Sequence, residues 1–348
     1  MRVTNNMLSN QFLSGYQTTL SRMQDVQEKV SASKNINRPS DNPVGAARNL
    51  HYTAADSANA LFTQNANDAI SWMKTSDSNL STIVTTVTNI KTALSSAISA
   101  NPTSSYDAIA KQVDQMIKTV VQSANAKVGD RYVFGGQNDA TEPFKINYDA
   151  SGNMTAVTYN GTSKQLTNPT LPYNAATNPY IASTTTDGTL TMQVVPGDIS
   201  TSRDKINLDG QEVFGEMMTV TSPVDGATYN NVPKIFQDLI AIKQHLVDIK
   251  TGANGVTATT LTNDIGTIDT DMNYVISAQT TNGAKQKSYQ TIKDRLESDS
   301  LIIASDAKEN DGFDVAKSSI EMQLAENAYN TLLSVGAKVL PKSLVDYL

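Results

Sequence analysis

Few side chains of this 348-residue sequence could serve catalysis or metal binding, and their spacing matches no known type of site. The two histidines, His51 and His245, lie in different predicted helices and do not have the HExxH spacing of a zinc site. No cysteine is present, which excludes disulfides, thiolate metal ligands and a cysteine nucleophile. The sequence therefore predicts no metal site and no cofactor.

Acidic and glycine-rich stretches resemble functional motifs only in part. Asp269 and Asp271 are two residues apart on a predicted helix, so they do not share a face as a catalytic carboxylate pair would. Residues 149–153 begin like a calcium loop, but the glycine and the terminal glutamate are misplaced. Gly135 and Gly136 lack the spacing of a phosphate-binding loop. Because no acid/base, nucleophile or metal constellation appears, we predict that the protein is not an enzyme.

Composition favours long helices over a large globular core. Apolar residues make up 39% of the chain and aromatic residues only 6%, which suits helices that are each buried along one stripe. A net charge of -7 argues against nucleic acid as a partner. Residues 1–15 lack the apolar core of a secretory signal, and no run approaches the roughly 18 apolar residues that span a bilayer. If the protein is exported, we expect a dedicated apparatus to carry it.

Both ends of the chain carry the pattern of an amphipathic helix. Residues 313–348 repeat apolar side chains every three or four positions, and residues 3–34 place them on a seven-residue frame that Gln27 interrupts. Such stripes must be covered by each other or by another molecule. We predict that the two ends pair and that the pair is an assembly device, with the interface residues Leu13, Tyr16, Leu20, Met23, Val30, Ile320, Leu324, Leu332, Val335 and Val339.

A corner follows the first helix at Arg38, Pro39, Ser40, Asp41, Asn42 and Pro43. Two prolines four residues apart cannot lie in a helix interior. Pro43 suits the first position of the next helix with Asn42 as its N-cap, although Ser40 or Asp41 could cap instead. Arg38 is either an ion-pair residue of an interface or a surface arginine beside a turn.

Between the ends, helical patterns flank a region of β character. Helices are predicted over residues 44–100, from Ser104 or Ser105 to 128, from 235 to Gly252, and over 256–307. Residues 131–232 are rich in Thr, Tyr, Asn, Gly and Pro, with a hairpin loop at 149–153, a turn at 159–162 and a β-type segment at 190–194.

The predicted fold class is mainly α with a β-rich insert. The chain runs out along one helical arm and returns along another, so we expect a long antiparallel helical rod with paired terminal segments and a small β-domain at the far end. Three domains are predicted: a terminal helical assembly domain of residues 1–40 with 310–348, a helical-bundle domain of 41–130 with 233–309, and an outer β-rich domain of 131–232.

Four segments, in order along the chain, resemble the flagellin-like axial proteins of bacterial flagella. They are MRVTNNM at residues 1–7, the stretch 31–45 that contains RPSDNPVG, RYVFGG at 131–136, and the tail 325–348 that ends in SLVDYL. Within that family the chain is most similar to proteins of the hook–filament junction. One departure is Ser33 before Lys34, where relatives commonly have glycine.

The resemblance implies a structural role. It implies a subunit that joins the hook to the filament, assembles through its terminal helices and serves as the platform for flagellin polymerisation. It also implies export through the flagellar type III route to an extracellular position, without a cleaved signal. The implied partners are further copies of the chain, hook-associated protein one, flagellin and a cytoplasmic export chaperone. Two alternatives remain open at this stage: a flagellin, or a surface-exposed binding module whose β-insert recognises a glycan or a protein.

Overall fold

The computed structural model describes residues 5–100, 105–136, 138–161, 205–222 and 226–339. The chain divides into two compact units. Unit 1 is built from Met1–Leu61 and Leu296–Leu348, and unit 2 from Phe62–Arg295. The division into three domains that was predicted from the sequence stays a prediction.

The described part of the chain contains seven α-helices, six short strands and a 3-10 helix at Ala253–Gly255. The helices are α1 (Asn5–Ala32), α2 (Pro43–Ala100), α3 (Ser105–Ala124), α4 (Gly210–Phe214), α5 (Lys234–Thr251), α6 (Ala258–Asp311) and α7 (Val315–Val339). The strands are β1 (Lys127–Val128), β2 (Arg131–Tyr132), β3 (Phe144–Tyr148), β4 (Met154–Tyr159), β5 (Met217–Thr221) and β6 (Thr228–Pro233). The prediction of a mainly α fold with a β-rich insert is confirmed.

Unit 1 contains two antiparallel helix pairs. The first is α1 with α7, in which Tyr16 lies opposite Tyr329. The second joins the beginning of α2 to the end of α6, where the Asn59 amide donates to the Leu296 carbonyl at 2.7 Å and the Asn310 amide donates to Asn49 at 2.7 Å. Gly312, with φ of 60°, ends α6, and the Asp314 carboxylate caps α7 by accepting from the backbone of Ala316.

Unit 2 holds the large apolar core of the described residues. The remainder of α2 runs antiparallel to α6, as two contacts together show: the Asn282 amide donates to the Met73 carbonyl at 2.8 Å, and Lys91 pairs with Asp269. Helices α3 and α5 pack beside them, linked by Lys243 and Asp114. The core between these helices is formed by aliphatic side chains, including Leu80, Ile83, Val87, Ile90, Leu94, Val113, Ile117, Val120, Leu239, Ile242, Leu246, Leu261, Ile268 and Val275.

Three antiparallel two-stranded sheets lie in unit 2: β1–β2, β3–β4 and β5–β6. Phe134, Phe144, Phe214 and Phe236 pack with Tyr159 into one aromatic cluster. The Tyr159 hydroxyl donates to the Phe134 carbonyl at 2.9 Å and accepts from the Gly210 backbone at 3.1 Å, so a single side chain ties three segments together. Burial raises the pKa of this hydroxyl far above its usual value.

Most helix ends fall within a few residues of their predicted positions. The predicted hairpin loop at 149–153 is confirmed between β3 and β4. Helix α6 continues to Asp311, beyond the predicted end at 307, because the left-handed residue that stops it is Gly312. Helix α4, a short helix inside the β-rich region, was not predicted from the sequence. The predicted segment at 190–194 and the end of the turn at 159–162 lie outside the described residues.

Candidate assembly interface

The contact between α1 and α7 is a seam of alternating three- and four-residue steps. On α1 the half-buried side chains are Phe12, Tyr16, Thr19, Met23 and Val26, with Leu20 beside them. On α7 the buried or half-buried positions are Ser318, Met322, Ala325, Tyr329, Leu332 and Gly336. Both series have the spacing of a coiled-coil seam.

Two tyrosines meet across this seam, and one aromatic ring of α1 packs against a glycine of α7. The Tyr16 and Tyr329 rings lie 5.7 Å apart and their hydroxyls are 3.2 Å apart. At Gly336 an added Cβ atom would lie within 3.0 Å of the Phe12 ring at Cε1 and closer still at Cζ, so the ring would have to shift to admit a side chain there. The register of the pair is therefore fixed by size as well as by apolar character.

The predicted interface residues divide into two groups. Tyr16, Leu20, Met23 and Leu332 are half-buried in or beside the seam. Leu13, Val30, Ile320, Leu324 and Val335 are exposed, and Ile320 and Leu324 each keep about three fifths of their surface accessible, at 61% and 62%. The side chain of Val339 lies outside the description. The pairing of the two ends therefore covers one stripe of α7 and leaves a second apolar stripe uncovered.

Several seam residues were missed from the sequence. Phe12 and Tyr329 were not placed at the contact, and the same is true of the small residues Ala325 and Gly336. Their signal was present as a second, weaker heptad shifted by one or two residues from the predicted stripe. The prediction favoured the other face of the helix because the large aliphatic residues Ile320 and Leu324 lie there.

Exposed apolar side chains are concentrated in unit 1. Of the sixteen large apolar side chains exposed among the described residues, thirteen lie in this unit, and Leu301 and Leu50 are the most accessible at 74% and 72%. The buried residues described in the same unit are five, namely Gly45, Asn59, Leu296, Ala325 and Gly336. Such a distribution is typical of a surface that is covered in an assembly, because monomeric proteins rarely leave so much apolar surface in water.

The corner between α1 and α2 is built by side-chain caps. The Asp41 carboxylate accepts from the backbone of Asn37 at 3.1 Å and of Arg38 at 2.9 Å. The bond from the Arg38 backbone is the main cause that lowers the Asp41 pKa. Asn42 accepts from the Gly45 backbone at 3.0 Å and caps α2, whose first residue is Pro43, as predicted.

Other corner residues are exposed. Arg38 pairs with Glu28 of α1 at 2.6 Å, and both side chains are largely open to solvent. Pro39 and Ser40 are exposed in the turn. The corner is therefore held by backbone capping, and its exposed ion pair contributes little to stability.

Two residues at the end of α6 form hydrogen bonds with the backbone on both sides of this corner. The Asp311 carboxylate accepts from the backbone N–H groups of Asn35 at 2.9 Å and Ile36 at 3.0 Å. The Asn310 amide donates to the Gly45 carbonyl at 2.9 Å. The sequence showed only a polar break at 308–312, and nothing in it indicated that two of these residues bind a segment about 270 positions away.

Within the described residues no group of three or more His, Asp or Glu side chains could hold a metal ion. His245 lies beside Asp264, with Nδ1 2.9 Å from the carboxylate, and His51 is exposed on α2. None of the described helices is apolar over enough length to traverse a bilayer.

Comparison with known families identifies the N-terminal part. Residues 3–139, more than a third of the chain, match the family described as the bacterial flagellin N-terminal helical region. This segment contains α1, the corner, α2, α3 and the first small hairpin. A search of curated proteins found no match.

Solved structures extend the similarity to most of the chain. A Vibrio parahaemolyticus protein assigned as a flagellar hook-associated protein matches at 13% identity and a TM-score of 0.57, covering 78% of this chain and 100% of its own. Flagellar hook-associated protein-3 of Legionella pneumophila matches at 14% identity and a TM-score of 0.55, covering 76% of this chain and 99% of its own. A structure of the flagellar junction protein FlgL from the same organism matches at 15% identity and a TM-score of 0.50, covering 76% of this chain and 100% of its own. Residues 3–139 therefore match the bacterial flagellin N-terminal helical region, and the chain shares the fold of solved flagellar hook-associated and junction proteins.

Proposed function

We propose that this protein is the structural subunit that joins the flagellar hook to the filament and provides the platform on which flagellin polymerises. The observation that carries the proposal is the concentration of exposed apolar side chains in unit 1, the unit that contains both terminal helices. The fold shared with hook-associated and junction proteins supports it. The relatives are structural proteins, and the proposal assigns no catalytic role to this chain.

Assembly through the terminal helices is coupled to their ordering. The α1–α7 seam buries few large side chains, so it provides little of the free energy that offsets the ordering of two helices. Contact with neighbours covers Ile320, Leu324 and the other exposed residues and adds the missing apolar burial. The ten terminal-helix residues predicted from the sequence keep this proposed role, and the corner from Arg38 to Pro43 is proposed to position them.

The proposed partners follow from this position. They are further copies of the chain, hook-associated protein one on the hook side and flagellin on the filament side, with a cytoplasmic chaperone before export. The proposed location is extracellular, at the hook–filament junction, and the proposed route is flagellar type III export. A chain without cysteine suits such a route, since no disulfide has to be opened for passage of an unfolded chain.

The test is deletion of the gene in the source bacterium, followed by an assay of flagellin in the culture medium and imaging of cell-attached hooks. The proposal expects bare hooks and monomeric flagellin in the medium. Normal filaments in the deletion strain would refute it.

Complementation then tests the role of unit 1. Leu324→Lys places a charge on the exposed stripe of α7, whereas Gln323→Lys places the same charge on the neighbouring, also exposed position. We expect the Gln323 variant to restore filaments and the Leu324 variant to fail while remaining soluble and helical by circular dichroism. Equal restoration by both variants would show that the stripe is not used in assembly.

A further inference from the structure

The connection between α5 and α6 presents an asparagine–glycine pair, Asn254–Gly255, to solvent. Asn254 lies in the middle of the 3-10 turn and has φ of 55° and ψ of 14°, in the left-handed region that a residue with a side chain seldom adopts. The backbone bond that closes the turn, from Val256 to the Ala253 carbonyl, is long at 3.3 Å. Local opening of this turn therefore costs little free energy.

We propose that Asn254 is a site of spontaneous deamidation. The Gly255 backbone nitrogen attacks Cγ of Asn254, the new C–N bond closes a five-membered succinimide, and the Cγ–Nδ2 bond breaks. The proton from the Gly255 nitrogen leaves with Nδ2 as ammonia. Water then opens the succinimide at either carbonyl, so that residue 254 becomes aspartate or isoaspartate. Gly255 has no side chain to obstruct ring closure, and the space where its Cβ would lie is open.

The sequence contains two further Asn–Gly pairs, at 160–161 and 282–283, and the structure protects both. Asn282 is 1% exposed within α6, and its amide donates to the Met73 carbonyl at 2.8 Å, so ring closure there requires opening of the helix. Asn160 is exposed, but its backbone N–H donates to the Pro143 carbonyl at 2.7 Å. Three pairs that are equal in sequence are therefore unequal in the folded chain, and Asn254 is the most reactive.

Conversion of Asn254 places a negative charge against a buried carboxylate. Asp248 of α5 is 7% exposed, and it accepts from the Asn254 amide at 2.9 Å and from the Gln244 amide at 2.8 Å. Deamidation replaces the first of these donors by a carboxylate, and like charges at this spacing repel each other. Because the Asp248 carbonyl accepts from the Gly252 N–H that ends α5, the modification destabilises the last turn of this helix. This inference does not rest on the proposed function.

The unchanged full-length chain provides the first test. It is kept folded in a mildly alkaline buffer, sampled over time, digested and analysed by mass spectrometry, which detects the replacement of NH₂ by OH in each Asn–Gly peptide. Asn282 is the matched control, since it has the same following residue. We expect conversion at Asn254 to be at least about tenfold faster than at Asn282, which corresponds to about 1.4 kcal/mol in the free energy of opening. In a urea-unfolded sample the three pairs should react at similar rates. Equal or faster conversion at Asn160 or Asn282 in the folded chain would overturn the proposal.

The effect on α5 is tested with Asn254→Asp, which supplies one reaction product directly. We expect faster amide hydrogen exchange in the last turn of α5 than in the unchanged chain. Asn89→Asp adds the same charge at an exposed position of α2 and should leave this exchange unchanged. Equal exchange of the last turn of α5 in both variants would show that the charge beside Asp248 does not destabilise the helix, and this part of the inference would be wrong.

Discussion

Replacing Gly336 by alanine tests the α1–α7 seam, because the structure gives this substitution two opposing effects. Alanine in place of glycine within a helix stabilises it by about 1 kcal/mol. At Gly336 the new Cβ would overlap the Phe12 ring, and crowding of a packed contact costs about 1–3 kcal/mol. We therefore expect a net loss of up to about 2 kcal/mol in the free energy of local opening of the pair.

Gly15 provides a matched control in the partner helix. It also lies within a helix of unit 1, but an added Cβ there meets nothing within 4 Å. Gly15→Ala should therefore show the helix-propensity gain alone, about 1 kcal/mol of added stability. The two glycine-to-alanine substitutions are expected to change stability in opposite directions.

Hydrogen exchange of amides in α1 and α7 measures these changes locally, which is preferable because a chain with two units need not unfold in one step. A difference of about 1.4 kcal/mol between the variants appears as a tenfold difference in exchange rate. Phe12→Ala supplies the decisive background, because it removes the ring that the new methyl group would meet. In that background Gly336→Ala should become stabilising. Equal protection by Gly336→Ala and Gly15→Ala in the unchanged chain would refute the described register.

Three further predictions concern the corner, the aromatic cluster and one buried carboxylate. Asp311→Ala removes the acceptor of two backbone N–H groups and should destabilise the corner by about 1–2 kcal/mol. The effect should appear as faster hydrogen exchange at residues 35 and 36. Asp306→Ala, which removes an exposed carboxylate from the same helix, should leave this exchange unchanged. Tyr159→Phe should lower the stability of unit 2 by about 1–3 kcal/mol in denaturant titration, since it leaves two buried backbone groups without their partner; an unchanged midpoint would contradict this. Burial raises the Asp271 pKa to about 6; Lys234 opposes this shift and Asp238 reinforces it. The contribution of Asp271 to stability is therefore full below about pH 4 and is lost as the pH rises through 6. The free energy of unfolding of Asp271→Asn, relative to that of the unchanged protein, should therefore rise by up to about 3 kcal/mol between pH 4 and pH 7. If this difference in stability does not depend on pH, the Asp271 pKa is not raised.

The sequence predicted the helices and their order well because their signals are local. Helical periodicity, the prolines at 39 and 43, and the glycines at 252 and 312 act within a few residues of where they stand. The cap at Asn42 could be named for the same reason, since its hydrogen bond reaches only to Gly45. Contacts between residues far apart in the sequence have no such local signal. The hydrogen bond from the Asn35 backbone to the Asp311 carboxylate was therefore found only in the structure.

The choice of face on α7 shows why an interface is harder to predict than a helix. An apolar stripe indicates that a face must be covered, but it does not indicate by what. The strongest stripe, at Ile320 and Leu324, is not the one that α1 covers. The covered stripe contains Ala325 and Gly336, small residues that a hydrophobicity pattern scarcely registers. At Gly336 the lack of a side chain allows the close approach of the Phe12 ring.

The α2–α6 pair in unit 1 has amide side chains at its contact and large exposed leucines elsewhere. Asn49, Asn59 and Asn310 form hydrogen bonds at the contact, beside the buried Leu296. Leu50, Leu61 and Leu301 are exposed. A pair optimised for stability on its own would have the opposite arrangement, because buried leucines contribute more than hydrogen-bonded amides. Amide contacts fix the register while leaving the leucines available for other surfaces. Unit 2 buries most of its large apolar side chains, whereas unit 1 leaves thirteen of them exposed, and this difference is what the proposed assembly through unit 1 would account for.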